Sequence, residues 1–195
     1  MSCSHKNHPF DSRHVRENWW PHQLKCLVIG ENPGFTTSAY FYDPIPKNKR
    51  DPIQVRSQLL KMLSQIGIIS SPDHIAFKSA GFAFDHGIRC PLDSKTEITR
   101  QRHLAAGFRS PLAHEAAYLR PLIEQAHKVW VMGHIARDAV VFLMKDKEPG
   151  MRDRLSRNLS PPSVDSKFFV SRYLTRCPKK DRVIILEEFR NFWSK

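Results

Sequence analysis

Two neighbouring side chains, Glu31 and Asn32, sit in the turn Gly30-Glu31-Asn32-Pro33-Gly34, directly after the apolar run Leu24 to Ile29. A carboxylate beside an amide at a strand end is the arrangement needed to orient a water against an electrophilic carbon. The same residue types also cap turns and helices, and local spacing does not separate the two uses. Other donor groups are weaker. Cys3, His5 and His8 have metal-binding side chains, but a frayed polar terminus is the simpler reading of that segment. Cys3, Cys26, Cys90 and Cys177 are far apart and form no C-x-x-C pair, so reduced thiols are expected, with no metal site and no cofactor.

The turn needs a rigid support, and the surrounding pattern supplies one. Leu24 to Ile29 reads as a buried strand that delivers the turn to the carboxyl end of a sheet, where α/β proteins bind ligands. Residues Phe35 to Arg50 are aromatic and irregular and end in the cations Lys47, Lys49 and Arg50. Asp51 and Pro52 then read as the N-cap and first residue of a helix whose Val55, Leu59, Met62, Leu63 and Ile66 recur at helical spacing up to Gly67. Gly81 to Cys90 is strand-like, and Ser110-Pro111 opens a helix carrying Leu112, Ala116, Leu119 and Ile123. Val129 to Met132 is a short apolar strand closed by Gly133, and Ile135 to Met144 continues as a helix. The remainder holds a polar, proline-broken stretch from Arg152 to Asp165, strands at Phe168 to Tyr173 and Val183 to Leu186, and an amphipathic piece ending in Phe192-Trp193.

This alternation predicts an α/β three-layer sandwich, with a central, mostly parallel sheet of four to five strands flanked by helices. The 195 residues, 41% hydrophobic, suit one domain spanning 1–195, in which 1–20 is expected as a loosely packed N-terminal arm. No apolar run approaches the roughly 18 residues of a membrane span, and no basic start precedes an apolar stretch. A cytoplasmic protein is expected, without membrane association.

Lys and Arg number 31 against 19 acidic residues, a net charge of +12 spread along the chain. Such a balance suits a polyanionic partner, because each phosphate neutralised releases condensed counterions; a merely basic surface would have the same composition.

The run Leu27-Val28-Ile29-Gly30-Glu31-Asn32-Pro33-Gly34-Phe35 resembles the first motif of the uracil-DNA glycosylase superfamily, a strand ending in a Gly-x-[Asp/Asn/Ala]-Pro-[Gly/Tyr] loop. Glu31 is similar to the acid of the Gly-Glu-Ala-Pro-Gly form in the iron-sulfur branch. Asn32 is similar to the amide of the Gly-Ile-Asn-Pro-Gly form in the mismatch-specific branch. The C-x-x-C pair of the iron-sulfur branch is missing, with only Cys90 in a matching place.

The resemblance implies an enzyme that flips uracil out of DNA and hydrolyses its bond to the sugar, with Glu31 and Asn32 catalytic and Gly30, Pro33 and Gly34 shaping the base pocket. It further implies an aromatic ring stacked on the extruded base, Phe41 first and Tyr42 next, while ordinary core packing is the other use of the same rings. Phe84-Asp85-His86-Gly87-Ile88-Arg89-Cys90-Pro91 lies where relatives carry Thr-Asn-x-x-Lys-Cys-x-Pro, which puts His86 in place of the Asn that reads the uracil edge. A neutral imidazole can donate one hydrogen bond and accept another, so it can serve a pyrimidine edge. Tyr118 to Ala136 matches the family's scaffold order, with His134 structural. In relatives the second motif is His-Pro-Ser or Asn-Pro-Ser. Its counterpart here is Arg157-Asn158-Leu159-Ser160-Pro161-Pro162-Ser163, expected as a minor-groove wedge in which Asn158 or a backbone amide meets the leaving base. Lys47, Lys49, Arg50, Arg152, Arg154 and Arg157 are the expected DNA-backbone contacts. A monomer acting on DNA, with no obligatory protein partner, is the leading expectation. A slow or non-catalytic binder of damaged or abasic DNA, and a nucleoside or nucleotide N-glycosyl hydrolase, are the alternatives.

Overall fold

The computed structural model describes residues 14–31, 40–44, 53–87, 112–155, 159 and 161–195. Among these residues five strands, β1 (Cys26–Gly30), β2 (Phe82–His86), β3 (Lys128–Met132), β4 (Ser163–Val164) and β5 (Phe168–Ser171), form one sheet in the order β2-β1-β3-β5-β4. The pairs β1·β2, β1·β3 and β3·β5 are parallel, and only β4 runs antiparallel, against β5. The helices are α1 (Val15–Trp19), α2 (Gln54–Gln65), α3 (His74–Ser79), α4 (Leu112–Gln125), α5 (His134–Met144), α6 (Met151–Arg154) and α7 (Lys179–Ser194). The protein is an α/β three-layer sandwich, and no helix of the described residues is long and apolar enough to cross a membrane.

Both faces of the sheet are covered, which explains why its parallel strands read as continuous apolar runs rather than alternating ones. Cys26, Val28, Phe82, Phe84, Trp130, Met132 and Phe169 point to one face, where they meet Leu59, Leu63, Phe77, Ile185 and Phe189 from α2, α3 and α7. Leu27, Ile29, Ala83, Val129, Val131, Phe168 and Val170 point to the other and meet Leu119, Leu122 and Ile123 of α4 and Val140, Leu143 and Met144 of α5. Trp130 anchors the first face. Its ring stacks on Phe189 at 4.2 Å, and its indole N–H donates to the Ser171 hydroxyl at 2.9 Å, so a large apolar ring is buried without stranding its donor.

The segment Val183 to Leu186 is not a strand but the middle of α7. Its β-branched run imitates a strand locally, yet the buried residues are Ile185, Phe189 and Phe192, spaced four and three apart, while Val183 and Ile184 face outward. The part of the N-terminal arm from residue 14 onward is docked rather than loose. Val15 is fully buried, Trp19 sits edge-on to His74 at 5.1 Å, and Lys78 donates to the Asn18 carbonyl at 2.8 Å.

Candidate functional site

The route of the chain singles out one end of the sheet. After β1 the chain passes to the face covered by α2, whereas after β3 it passes to the face covered by α5. β1 and β3 are neighbours, so at their carboxyl ends the two connections part to opposite faces, the switch point at which open α/β sheets form their ligand crevice. Glu31 is the first residue beyond β1, and Gly133 the first beyond β3.

Three glycines are closely packed around this edge. A Cβ on Gly30 would lie 2.8 Å from the Phe84 ring, and the Gly30 carbonyl accepts from the Gly87 amide at 2.7 Å. Gly87 in turn lies against α5, where a Cβ would come within 3.1 Å of the Ala136 backbone. Gly133, the N-cap of α5, has φ +89°, and a Cβ there would overlap the Glu31 carboxylate.

Glu31 is only 4% exposed. Its carboxylate accepts from the Arg176 guanidinium at 2.9 Å and rests on Gly133, where the positive end of the α5 dipole favours a negative charge. A buried carboxylate is costly unless it is paired, and Arg176 supplies the partner from an exposed position, 65% accessible. The same guanidinium leans on the Tyr173 ring, 5.4 Å from its centroid. Burial, and then the Glu31 charge, push the Tyr173 hydroxyl above its ordinary value, so it remains a neutral donor.

His86, expected at the base edge, ends β2 opposite Gly30 and therefore flanks the crevice. Its ring lies 5.8 Å from Tyr40 and edge-on to Phe84 at 5.0 Å, and its amide donates to the Asp85 carboxylate at 2.8 Å. Gly30, Glu31 and His86 are thus brought together.

Of the two uses open to the aromatic segment, the structure has core packing rather than a base-stacking face. Phe41 is fully buried and stacks on Phe84 at 4.1 Å, with Phe77 and His74 each at 5.5 Å, so its faces are spent on the core. Tyr42 is also buried; its hydroxyl accepts from the Phe84 amide at 2.7 Å, satisfying a donor on the edge strand β2, and burial pushes its phenol up. Neither ring offers a face to an extruded base. Arg56, fully buried in α2, holds the segment by donating to the carbonyls of Phe41 and Asp43.

The region expected as the wedge is partly described. Its apolar Leu159 is buried with α4 and α5 rather than projecting. Pro161 and Pro162 lead into β4, and the register Ser163 to Val170 sets them at the carboxyl edge of β5, the edge that carries Glu31. The Ser163 hydroxyl donates to the Arg154 carbonyl at 3.0 Å. Arg154 pairs with Glu148 at 2.6 Å and Asp165 at 3.1 Å, which ties it to its own loop, while Arg152 is exposed. Buried Arg137 fastens this loop by donating to the carbonyls of Leu155 and Arg152. Asn32, Pro33, Gly34, Lys47, Lys49, Arg50, Arg157, Asn158 and Ser160 lie outside the described residues.

Sequence reasoning missed Tyr173 and Arg176. Reading Phe168 to Tyr173 as one strand hid the fact that β5 stops at Ser171, after which the chain turns through the 3-10 helix Leu174–Arg176 at the Glu31 edge. A signal was present, since the loop after every strand of a parallel sheet emerges at the same edge and Arg172-Tyr173-Leu174-Thr175-Arg176 is rich in donors. The exposed cations Lys179 and Lys180, which open α7, extend this basic rim. Among the described residues no group of three or more His, Cys, Asp or Glu side chains is arranged to hold a metal ion. The arrangement can present a fixed carboxylate and a fixed cation, side by side, to a polar ligand in a crevice. No protein-family model matches the chain, and no curated protein matches it significantly.

Proposed function

We propose that the chain is a DNA-repair glycosylase that everts uracil from DNA and hydrolyses the bond between the base and the deoxyribose. The observation that carries this reading is the position of Glu31, a carboxylate at the switch point of the sheet, paired with an exposed arginine. The net charge of +12 and the likeness of the Gly30 to Gly34 turn to the first glycosylase motif support the same reading.

Breaking this bond leaves positive charge on the sugar and the electron pair on the base. Glu31 faces the developing sugar cation and stabilises it. Water adds its oxygen to the sugar carbon, held by Asn32 or by Glu31, and the proton that it loses passes to the carboxylate or to solvent. The departed base takes up a proton on its nitrogen, which balances the hydrolysis. The reading carries with it a cytoplasmic monomer with reduced thiols; Cys26 and Cys177 are buried and free.

The test is incubation of the purified chain with a labelled oligonucleotide holding one uracil, followed by alkaline cleavage. Strand scission at the uracil, abolished or strongly slowed in Glu31→Gln or Asn32→Ala, is the expected result. No scission under any condition, in single- or double-stranded DNA, overturns it.

One observation favours a second reading, a non-catalytic binder of damaged or abasic DNA. Glu31 is buried and one of its oxygens is already engaged by Arg176. A gel shift on uracil or abasic DNA without base release selects this second reading.

A further inference from the structure

An excision site must stabilise two charges, and the carboxylate serves only one of them. The electrons of the broken bond collect on the base, whose carbonyl oxygens then need a donor at the moment of departure. Loss of one such donor typically slows a reaction on the order of a hundred- to a thousandfold. In the segment expected to supply it, residues 157–163, the described Leu159 is turned inward, and Arg154 just before it is paired with Glu148 and Asp165.

Among the described residues, the turn after β5 presents such a donor. Arg176 reaches the crevice from the side opposite β2, with one nitrogen, Nη1, on Glu31. Its Nε and Nη2 have no partner among the described residues, and the side chain is 65% exposed. The Glu31 carboxylate and the Tyr173 ring both contact the guanidinium, which leans it over the Glu31 edge with N–H groups left for a ligand.

We propose that Arg176 is the donor to the departing base, and that Glu31 and Arg176 act as one oriented dipole across the bond that breaks. This rests on the excision reading. The negative end faces the sugar, which becomes cationic, and the positive end faces the base, which becomes anionic. The pair is neutral overall, so the site matches the charge separation of bond breaking without carrying a net charge into the crevice.

The experiment is single-turnover excision of uracil and of 5-fluorouracil from otherwise identical oligonucleotides by the full chain, Arg176→Gln and Arg176→Lys. Fluorine stabilises the departing anion, so that base depends less on a donor. Arg176→Gln is expected to lose on the order of a hundredfold or more on uracil and roughly tenfold or less on 5-fluorouracil. Arg176→Lys keeps the charge and restores part of the uracil rate. It also serves where the glutamine variant folds poorly, because it must itself be more impaired on uracil than on 5-fluorouracil.

Equal losses on the two bases, in a wild-type background that excises both, overturn the role of Arg176 and leave the excision reading standing. A wild-type chain that excises neither base overturns both.

Discussion

The Glu31 carboxylate and the Arg176 guanidinium meet at 2.9 Å although 145 positions separate them in the chain. The two ends of this pair differ in their access to water, since Glu31 is buried and Arg176 is largely exposed. Removing one partner therefore has a different consequence from removing the other.

Arg176→Ala leaves a buried carboxylate without its cation and is expected to destabilise the fold by about 1–3 kcal/mol. Glu31→Gln leaves an exposed arginine that water solvates, and its cost is expected to stay below about 1 kcal/mol. Urea denaturation of the two variants checks the order. A larger loss for Glu31→Gln than for Arg176→Ala would count against the geometry described.

Gly133→Ala tests the wall of the crevice. At φ +89° an alanine is strained, and its methyl would displace the Glu31 carboxylate. The expected cost is about 1–3 kcal/mol together with a loss of excision. Gly67 is the control, with φ +73° and open space around it. Gly67→Ala should cost about 1 kcal/mol from the backbone alone and leave excision unchanged.

The aromatic segment should act through stability rather than through DNA. Phe41→Ala removes a ring packed on Phe84 and is expected to cost about 3–5 kcal/mol. Tyr42→Phe strands the Phe84 amide and is expected to cost about 1–3 kcal/mol. Fluorescence anisotropy with uracil-containing DNA, below the unfolding range, should give an affinity for Tyr42→Phe equal to that of the wild type. A tenfold weakening would return this residue to the base-binding surface.

Asp73 caps α3 and makes a pH prediction. Its carboxylate accepts from the Ser71 hydroxyl at 2.5 Å and from the Ala76 amide at 2.8 Å, and these bonds hold it below the usual aspartate value. A group lowered on folding stabilises the native state fully above its unfolded value of about 3.9, and that contribution drains as the pH falls through the lower, folded value. Asp73→Ala should cost about 0.5–2 kcal/mol near neutral pH. Stability curves of the variant and the wild type should converge below about pH 4; a constant gap down to pH 2 would show that the charge is not what stabilises the cap.

The class of fold was legible because burial leaves a periodic trace. β1 is buried at all five positions, and Val55, Leu59, Met62 and Leu63 recur with the turn of α2. A strand feeding a polar turn is visible for the same reason, so Glu31 stands out in the sequence. Composition and period, however, report only that a side chain is covered, not by what. Tyr40-Phe41-Tyr42 has the same aromatic content whether its rings meet a base or the core, and the packing of Phe84 and Phe77 decided for the core. The run Val183 to Leu186 reads as a strand, and only the docking of Phe189 and Phe192 on the sheet makes it part of a helix.

What the chain determined locally was the carboxylate, its strand and its glycines. The cation that neutralises the carboxylate was decided only by the strand order β2-β1-β3-β5-β4, which brings the turn after β5 to the edge where β1 ends. Strand order is a property of how whole layers pack, with contacts between segments far apart in sequence, so no local pattern around Glu31 encodes Arg176.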